Sequence, residues 1–362
     1  MIRPLRLRAV AAVAILSHAA GLAAAGQEAD TGEEWAGRFS SLGRDLPGWM
    51  AEAAVPGVAI AVVSSDSVWT RGFGVSAAGG ESPVTAETLF EAASLSKPVF
   101  ARMVRMEVDR GTLALDTPLA RYWEYPDLRE EPWRDRITAR MVLSHRSGLP
   151  NWRRDQPLTI QFEPGERFQY SGEGYVYLER AIAHLRGGGL EERAQEMVIA
   201  PAGMARSTFI FDGSASNHAA PHDEEGQPQA KRPAPPPGNP AASLHTTAAD
   251  YGRFIQRLLL EMRADTSVMA RITGRQTPVA DGVAWGLGWG LEYPEERAGP
   301  ALWHWGDNGP FKAFVYVDPE EDRGFVFFAN AMNGLALTRR ILERLFPGAH
   351  PLLGWLRYDQ LD

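Results

Sequence analysis

Ser94-Leu95-Ser96-Lys97 sets a hydroxyl and an amine three residues apart. At helical pitch both side chains lie on one face within about one turn. A serine hydroxyl is a weak nucleophile at neutral pH and needs an adjacent base. A lysine supplies one when burial and a neighbouring positive charge lower its pKa. By itself the Ser-x-x-Lys spacing is common and most often marks a helix surface. Two further stretches extend the chemistry. Tyr170-Ser171-Gly172 offers a phenol, which titrates near 10 and needs nearby positive charge to carry protons at neutral pH. His304-Trp305-Gly306 ends an apolar run near the C-terminus.

The surrounding elements must bring these stretches together. Glu33 to Ala54 repeats Trp35, Phe39, Leu42, Leu46 and Met50 at helical spacing. Val58 to Val63 and Ser67 to Gly74 predict an antiparallel hairpin around Ser64-Ser65-Asp66. Val99 to Arg110 carries Phe100, Met103, Val104 and Val108 on one stripe, with Gly111 as a stop. Pro98 is tolerated only in a first turn, so the helix begins close to Ser94. Its positive end then lies near the hydroxyl. Between 112 and 240 the signals are helical: a short helix over Ile137 to His145, a clear one over Gly174 to Leu185, and another over Leu190 to Ile199. His218 to Pro240, with Pro233-Ala234-Pro235-Pro236-Pro237, reads as a long loop near the cleft. Thr246 to Asp250 resembles a capping box for a helix to about Met262. Four strand candidates follow, over 284–290, 301–304, 313–317 and 324–329, and a helix over Leu335 to Phe346 closes the chain. Strands at both ends with helices between predict an α+β fold: one antiparallel sheet built from both ends, flanked by helices. The α/β part is expected at about 33–110 and 241–362, and an inserted helical region at about 111–240.

Composition bounds the partners. The net charge of −8 becomes −11 if residues 1–25 are removed, because Arg3, Arg6 and Arg8 leave with no acids. Such a chain has no general attraction for nucleic acid or anionic lipid. Residues 1–25 read as a cleavable leader: a basic start, an apolar run from Ala9 to Leu22 and an Ala23-Ala24-Ala25 site. The expectation is a periplasmic or secreted protein of residues 26–362, with no membrane span after cleavage. The absence of cysteine excludes disulfides, thiolate chemistry and lipid attachment at an N-terminal cysteine. His145, His304 and Asp307 match no metal-ligand spacing, and no metal or cofactor is expected.

Read in order, the chain resembles the serine β-lactamase and penicillin-binding-protein-like hydrolases. The resemblance is to the branch of class C β-lactamases, D-Ala-D-Ala carboxypeptidases and family VIII esterases. The words that carry it span most of the chain: Val55-Pro56-Gly57-Val58-Ala59, Arg71-Gly72-Phe73-Gly74, Ser94-Leu95-Ser96-Lys97, Leu143-Ser144-His145-Arg146-Ser147-Gly148-Leu149, Phe168-Gln169-Tyr170-Ser171, Trp285-Gly286-Leu287-Gly288-Trp289 and His304-Trp305-Gly306. The resemblance implies a β-lactamase/transpeptidase-like fold. It implies Ser94 as nucleophile, with Lys97 and Tyr170 as proton carriers and the base open between them. It also implies an oxyanion hole of the Ser94 and Asp307 backbone N–H groups.

The departures fall on recognition. Class C enzymes end the tyrosine word in an asparagine that binds the acyl-amide side chain; here Gly172 stands there. Their third word opens with a lysine that attracts the substrate carboxylate; here it is His304, neutral at pH 7 unless perturbed. Trp305 replaces a small threonine or serine. Gly172, His304, Trp305, Gly306 and Asn308 are therefore the substrate-binding candidates, Trp305 first among the tryptophans. His145 is expected as a hydrogen-bond donor bracing its loop. The reading is a serine hydrolase taking a small-molecule ester or small amide. A β-lactamase or D-amino-acid peptidase stays open, as does a catalytically silent binding protein of the same fold.

Overall fold

The computed structural model describes residues 32–230, 238–274, 277–295 and 297–357. The leader and the Pro233–Pro237 run lie outside the described residues. In chain order the elements are α1 (Gly32–Glu52), β1 (Gly57–Ser64), β2 (Val68–Gly74), β3 (Phe90–Glu91), α2 (Ser96–Asp109), α3 (Ala139–Leu143), α4 (Gly172–Arg186) and α5 (Leu190–Ala194). Then come β4 (His245–Thr246), α6 (Ala248–Ala264), α7 (Ser267–Thr273), β5 (Thr277–Ala280), β6 (Val283–Trp285) and β7 (Gly290–Glu292). The chain ends with β8 (Ala301–Asp307), β9 (Lys312–Asp318), β10 (Arg323–Ala329), α8 (Thr338–Leu345) and α9 (Pro351–Leu356).

Among the described residues, eight strands form one sheet in the order β2-β1-β10-β9-β8-β7-β6-β5, each pair antiparallel. The two chain ends meet where β1 pairs with β10, Val58 opposite Ala329. Alternation along the strands sorts the side chains onto two cores. Val58, Ile60, Val62, Phe325 and Phe327 join Trp35, Leu42 and Leu46 of α1 and Ile341 and Leu342 of α8. Ala59, Ala61, Val63, Val326 and Phe328 face α2 and α6 through Val99, Phe100, Phe254 and Ile255. Because helices cover both faces, β1 and β9 are buried along their whole length.

Three expectations needed revision. The run 284–290 is two strands, β6 and β7, joined through Gly286–Trp289, and β5 adds a further edge strand. α9 was not foreseen; its apolar Leu352, Leu353 and Leu356 dock on the α1 side. Thr247, not a reciprocal pair, caps α6 by accepting from Asp250 N–H at 3.0 Å. The Asp250 carboxylate turns instead to Arg206 N–H and Ser207 Oγ, at 2.8 and 2.9 Å.

Candidate active site

The nucleophile candidate sits on a tight turn. A 3-10 turn over Ala93–Leu95 feeds α2, with Pro98 inside its first turn. Ala93 holds φ at +50°, a left-handed conformation that costs a residue with a Cβ about 1 kcal/mol. The turn is held from two sides. Ala92 N–H donates to Leu244 O at 2.7 Å, and Ser96 Oγ joins Ala93 O at 2.6 Å to Leu244 N at 2.9 Å. Ser96 is thus a brace between chain segments. On the other side lies β8. A Cβ on Gly306 would stand 2.5 Å from Ala92 O and 3.2 Å from the Ala93 Cβ, so only glycine lets the strand come this close.

Lys97 is fully buried, whereas Ser94 keeps part of its surface in solvent. Its Nζ lies 3.0 Å from Ser94 Oγ and 2.9 Å from Ala241 O. Burial holds its pKa well below the ordinary lysine value. The ring centroids of Tyr170, Tyr175 and Trp152 lie 4.6, 5.6 and 6.0 Å from Nζ. Aromatic faces favour a cation, but the loss of water outweighs them.

Tyr170 is placed by His145. Gln169 N–H donates to His145 O at 2.8 Å, and Ser171 N–H donates to His145 Nδ1 at 3.0 Å. The imidazole stacks on the Tyr170 ring at 4.2 Å between centroids. His145 therefore braces the loop as an acceptor, not as the expected donor. Burial, then the repulsion that a protonated Lys97 or His304 would exert, keeps its pKa well below the usual histidine value, so the lone pair on Nδ1 persists. The second wall behind Tyr170 is Trp305, at 4.9 Å.

The remaining candidates divide. His304 has no exposed surface; its Nδ1–H donates to Trp305 O at 2.7 Å. Burial and the nearby Lys97 lower its pKa to about 3, so the imidazole is neutral. Trp305 points to the α1 face of β8 with Trp303 and Trp355, at 5.9 and 5.5 Å, not to the Ser94 face. Trp285, Trp289 and Trp303 are core. Asp307 pairs with Lys312 at 2.6 Å and accepts from Gly309 N–H at 2.9 Å. Asn308 Nδ2 donates to Ala242 O at 3.1 Å and to the Glu91 carboxylate, tying the end of β8 to the Ser94 and Ala241 segments.

Two groups escaped the sequence. Ala241 contributes a backbone carbonyl, which no side-chain motif can announce. Trp152 lies against Gly172, and the only hint was that Gly172 leaves room for something.

A buried amine beside a partly exposed hydroxyl, with a phenol against the amine, is the equipment of a serine hydrolase on a β-lactamase/transpeptidase-like fold. The family model described as Beta-lactamase matches residues 42–346. The chain belongs to that family of serine hydrolases. It is similar to Esterase EstB of Burkholderia gladioli, 28% identical over 213 residues, covering 49% of this chain and 52% of that one. It is also similar to a penicillin-binding protein of Bacillus subtilis (strain 168), 28% identical over 188 residues, covering 46% and 40%. The chain spans about half the length of the curated relatives it matches. Among solved structures, the D-alanine carboxypeptidase AmpC from Burkholderia cenocepacia shares the fold. Its TM-score is 0.73 and its identity 21%, over 86% of this chain and 98% of that one.

Proposed function

We propose that this protein hydrolyses an ester or small amide through an acyl-serine intermediate. The observation that carries the proposal is the Lys97 amine, fully buried and 3.0 Å from Ser94 Oγ. A neutral amine donates one hydrogen to Ala241 O and turns its lone pair to the Ser94 hydroxyl. Ser94 Oγ bonds to the substrate carbonyl as its proton passes to Lys97. The carbon–leaving-group bond breaks, and the leaving group takes the proton, with Tyr170 as the carrier between them. Water then attacks the acyl carbon, one of its protons passes by way of Lys97 and Tyr170 to Ser94 Oγ as the acyl–oxygen bond breaks, and a carboxylic acid departs. Backbone N–H groups of Ser94 and Asp307 serve the oxyanion; the approach of β8 at Gly306 supports this assignment.

The preference for esters over β-lactams rests on charge. His304 is neutral and buried where a carboxylate-binding cation is expected, and Lys312 nearby is paired with Asp307. The test incubates wild type and Ser94→Ala with a fluorophosphonate probe, short-chain p-nitrophenyl esters and a chromogenic cephalosporin. Wild type is expected to be labelled and to turn over esters, and Ser94→Ala to lose both by at least about 10³-fold. Equal labelling of the two proteins sinks the acyl-serine reading. Fast cephalosporin turnover overturns the ester preference.

A further inference from the structure

Among the described residues, Trp152 is one of few large apolar side chains left in water, at 39% exposed, and the one of them that stands beside Lys97. Its six-membered ring fills the space above Gly172. A Cβ there would stand 2.5 to 2.7 Å from three of its carbons. The loop that carries it is fastened down. Asn151 O accepts from both Gly172 and Glu173 N–H at 3.1 Å, and Asn151 Oδ1 accepts from Gly172 N–H at 3.1 Å. Ser171 Oγ donates to Pro150 O at 3.0 Å and accepts from Gly174 N–H at 2.9 Å as the cap of α4. The first amides of α4 thus hold the backbone next to the indole in place. An apolar ring kept partly wet, at fixed position, next to the reacting pair is a surface whose apolar area a substrate can cover. Gly172 offers no polar side chain to compete for that substituent.

We propose that Trp152, seated on Gly172, forms a subsite that selects substrates carrying a planar apolar substituent, an aryl ring above all. The proposal rests on the acyl-serine reading, and two controls separate the fates of the two. Initial rates are followed by pH-stat for ester pairs that differ by a ring: ethyl phenylacetate against ethyl butyrate, and benzyl acetate against butyl acetate. Wild type favours the aryl member of at least one pair. Trp152→Ala lowers that aryl-to-alkyl ratio of kcat/KM roughly tenfold, as expected for losing one well-placed aromatic contact. Gly172→Ala lowers it in the same direction with the indole still present, because the new methyl displaces the ring. Trp152→Phe keeps the preference, which shows that the loop still folds. If neither ratio moves by more than about twofold in the Ala variants, while Ser94→Ala abolishes all turnover, the subsite is refuted and the hydrolase reading stands. If Ser94→Ala retains turnover, both fall.

Discussion

At the residue scale, the proposed role of Lys97 as a base rests on where it is buried. Its amine meets a hydroxyl and a carbonyl, and its pKa lies well below 10.5 through desolvation. For a base the active form is the deprotonated one, so kcat/KM should rise with pH through this lowered value. An acidic limb placed in the ordinary lysine range would contradict the assignment. The same shift sets a stability slope. Between the lowered folded value and the unfolded 10.5, the unfolded chain binds the extra proton, so stability rises with pH across that window. Lys97→Arg puts a group that stays charged in the same place. Turnover of the best ester should fall about 10²–10⁴-fold, the usual worth of a positioned base. Retention of wild-type kcat would assign the proton to Tyr170 alone. Lys97 was legible in the sequence because the pair lies within one helical turn. Its partner Ala241 was not, because 144 residues separate it from Lys97 and it acts through backbone.

At the element scale, the site depends on how closely β8 approaches the Ala92–Ser94 turn. The ladder of β7 on β8 ends at Gly290 opposite Trp303, so β7 does not cover 304–307. Phe168 and Tyr170 pack instead against the Trp285 and Trp305 rings there. Gly306→Ala puts a Cβ 2.5 Å from Ala92 O, which is backbone and cannot swing aside. The strand or the turn must shift by a fraction of an ångström. Misplacement of this size is expected to lower kcat about 10- to 100-fold. A smaller change in the urea midpoint would accompany it. An unchanged kcat would show that β8 takes no part in the chemistry. Trp289 is core although it lies outside the regular strands.

At the scale of the whole molecule, one sheet with both faces covered makes the two chain ends a single cooperative unit. The last helix is tied to it by a buried charge. Glu292, without exposed surface, accepts from His350 Nδ1–H at 3.0 Å, Tyr316 OH at 2.9 Å and Leu352 N–H at 3.0 Å. His350 Nε2 meets Phe346 O at 2.7 Å, so both ring nitrogens face acceptors and the imidazolium fits. Burial lowers the His350 pKa, but the bond to Glu292 and its charge raise it more, for a net upward shift. A raised histidine stabilises fully below its unfolded value and loses that contribution as pH climbs through the folded one. Chemical melts at a series of pH values should therefore show the His350-dependent part of wild-type stability lost on the alkaline side of about pH 6.5, set against the opposing rise from Lys97. His350→Gln should lack that loss and be weaker at acid pH by about 1–3 kcal/mol. Parallel wild-type and variant curves would remove the charge from α9 docking.

The sequence by itself determined the family, the pairing of Ser94 with Lys97 and the plan of the fold. Ser94 and Lys97 are local neighbours, one on the turn that feeds α2 and the other in its first turn, and hydrophobic periodicity reports which faces of a strand or helix turn inward. Only the tertiary structure decided what surrounds them. His304 is buried and neutral, Trp305 backs Tyr170, and Trp152 occupies the room above Gly172. The physical reason is range. A motif records side chains that share a turn, whereas desolvation, a borrowed carbonyl and a stacked ring are set by segments distant in the chain. Their contact is a property of packing, and no spacing encodes it.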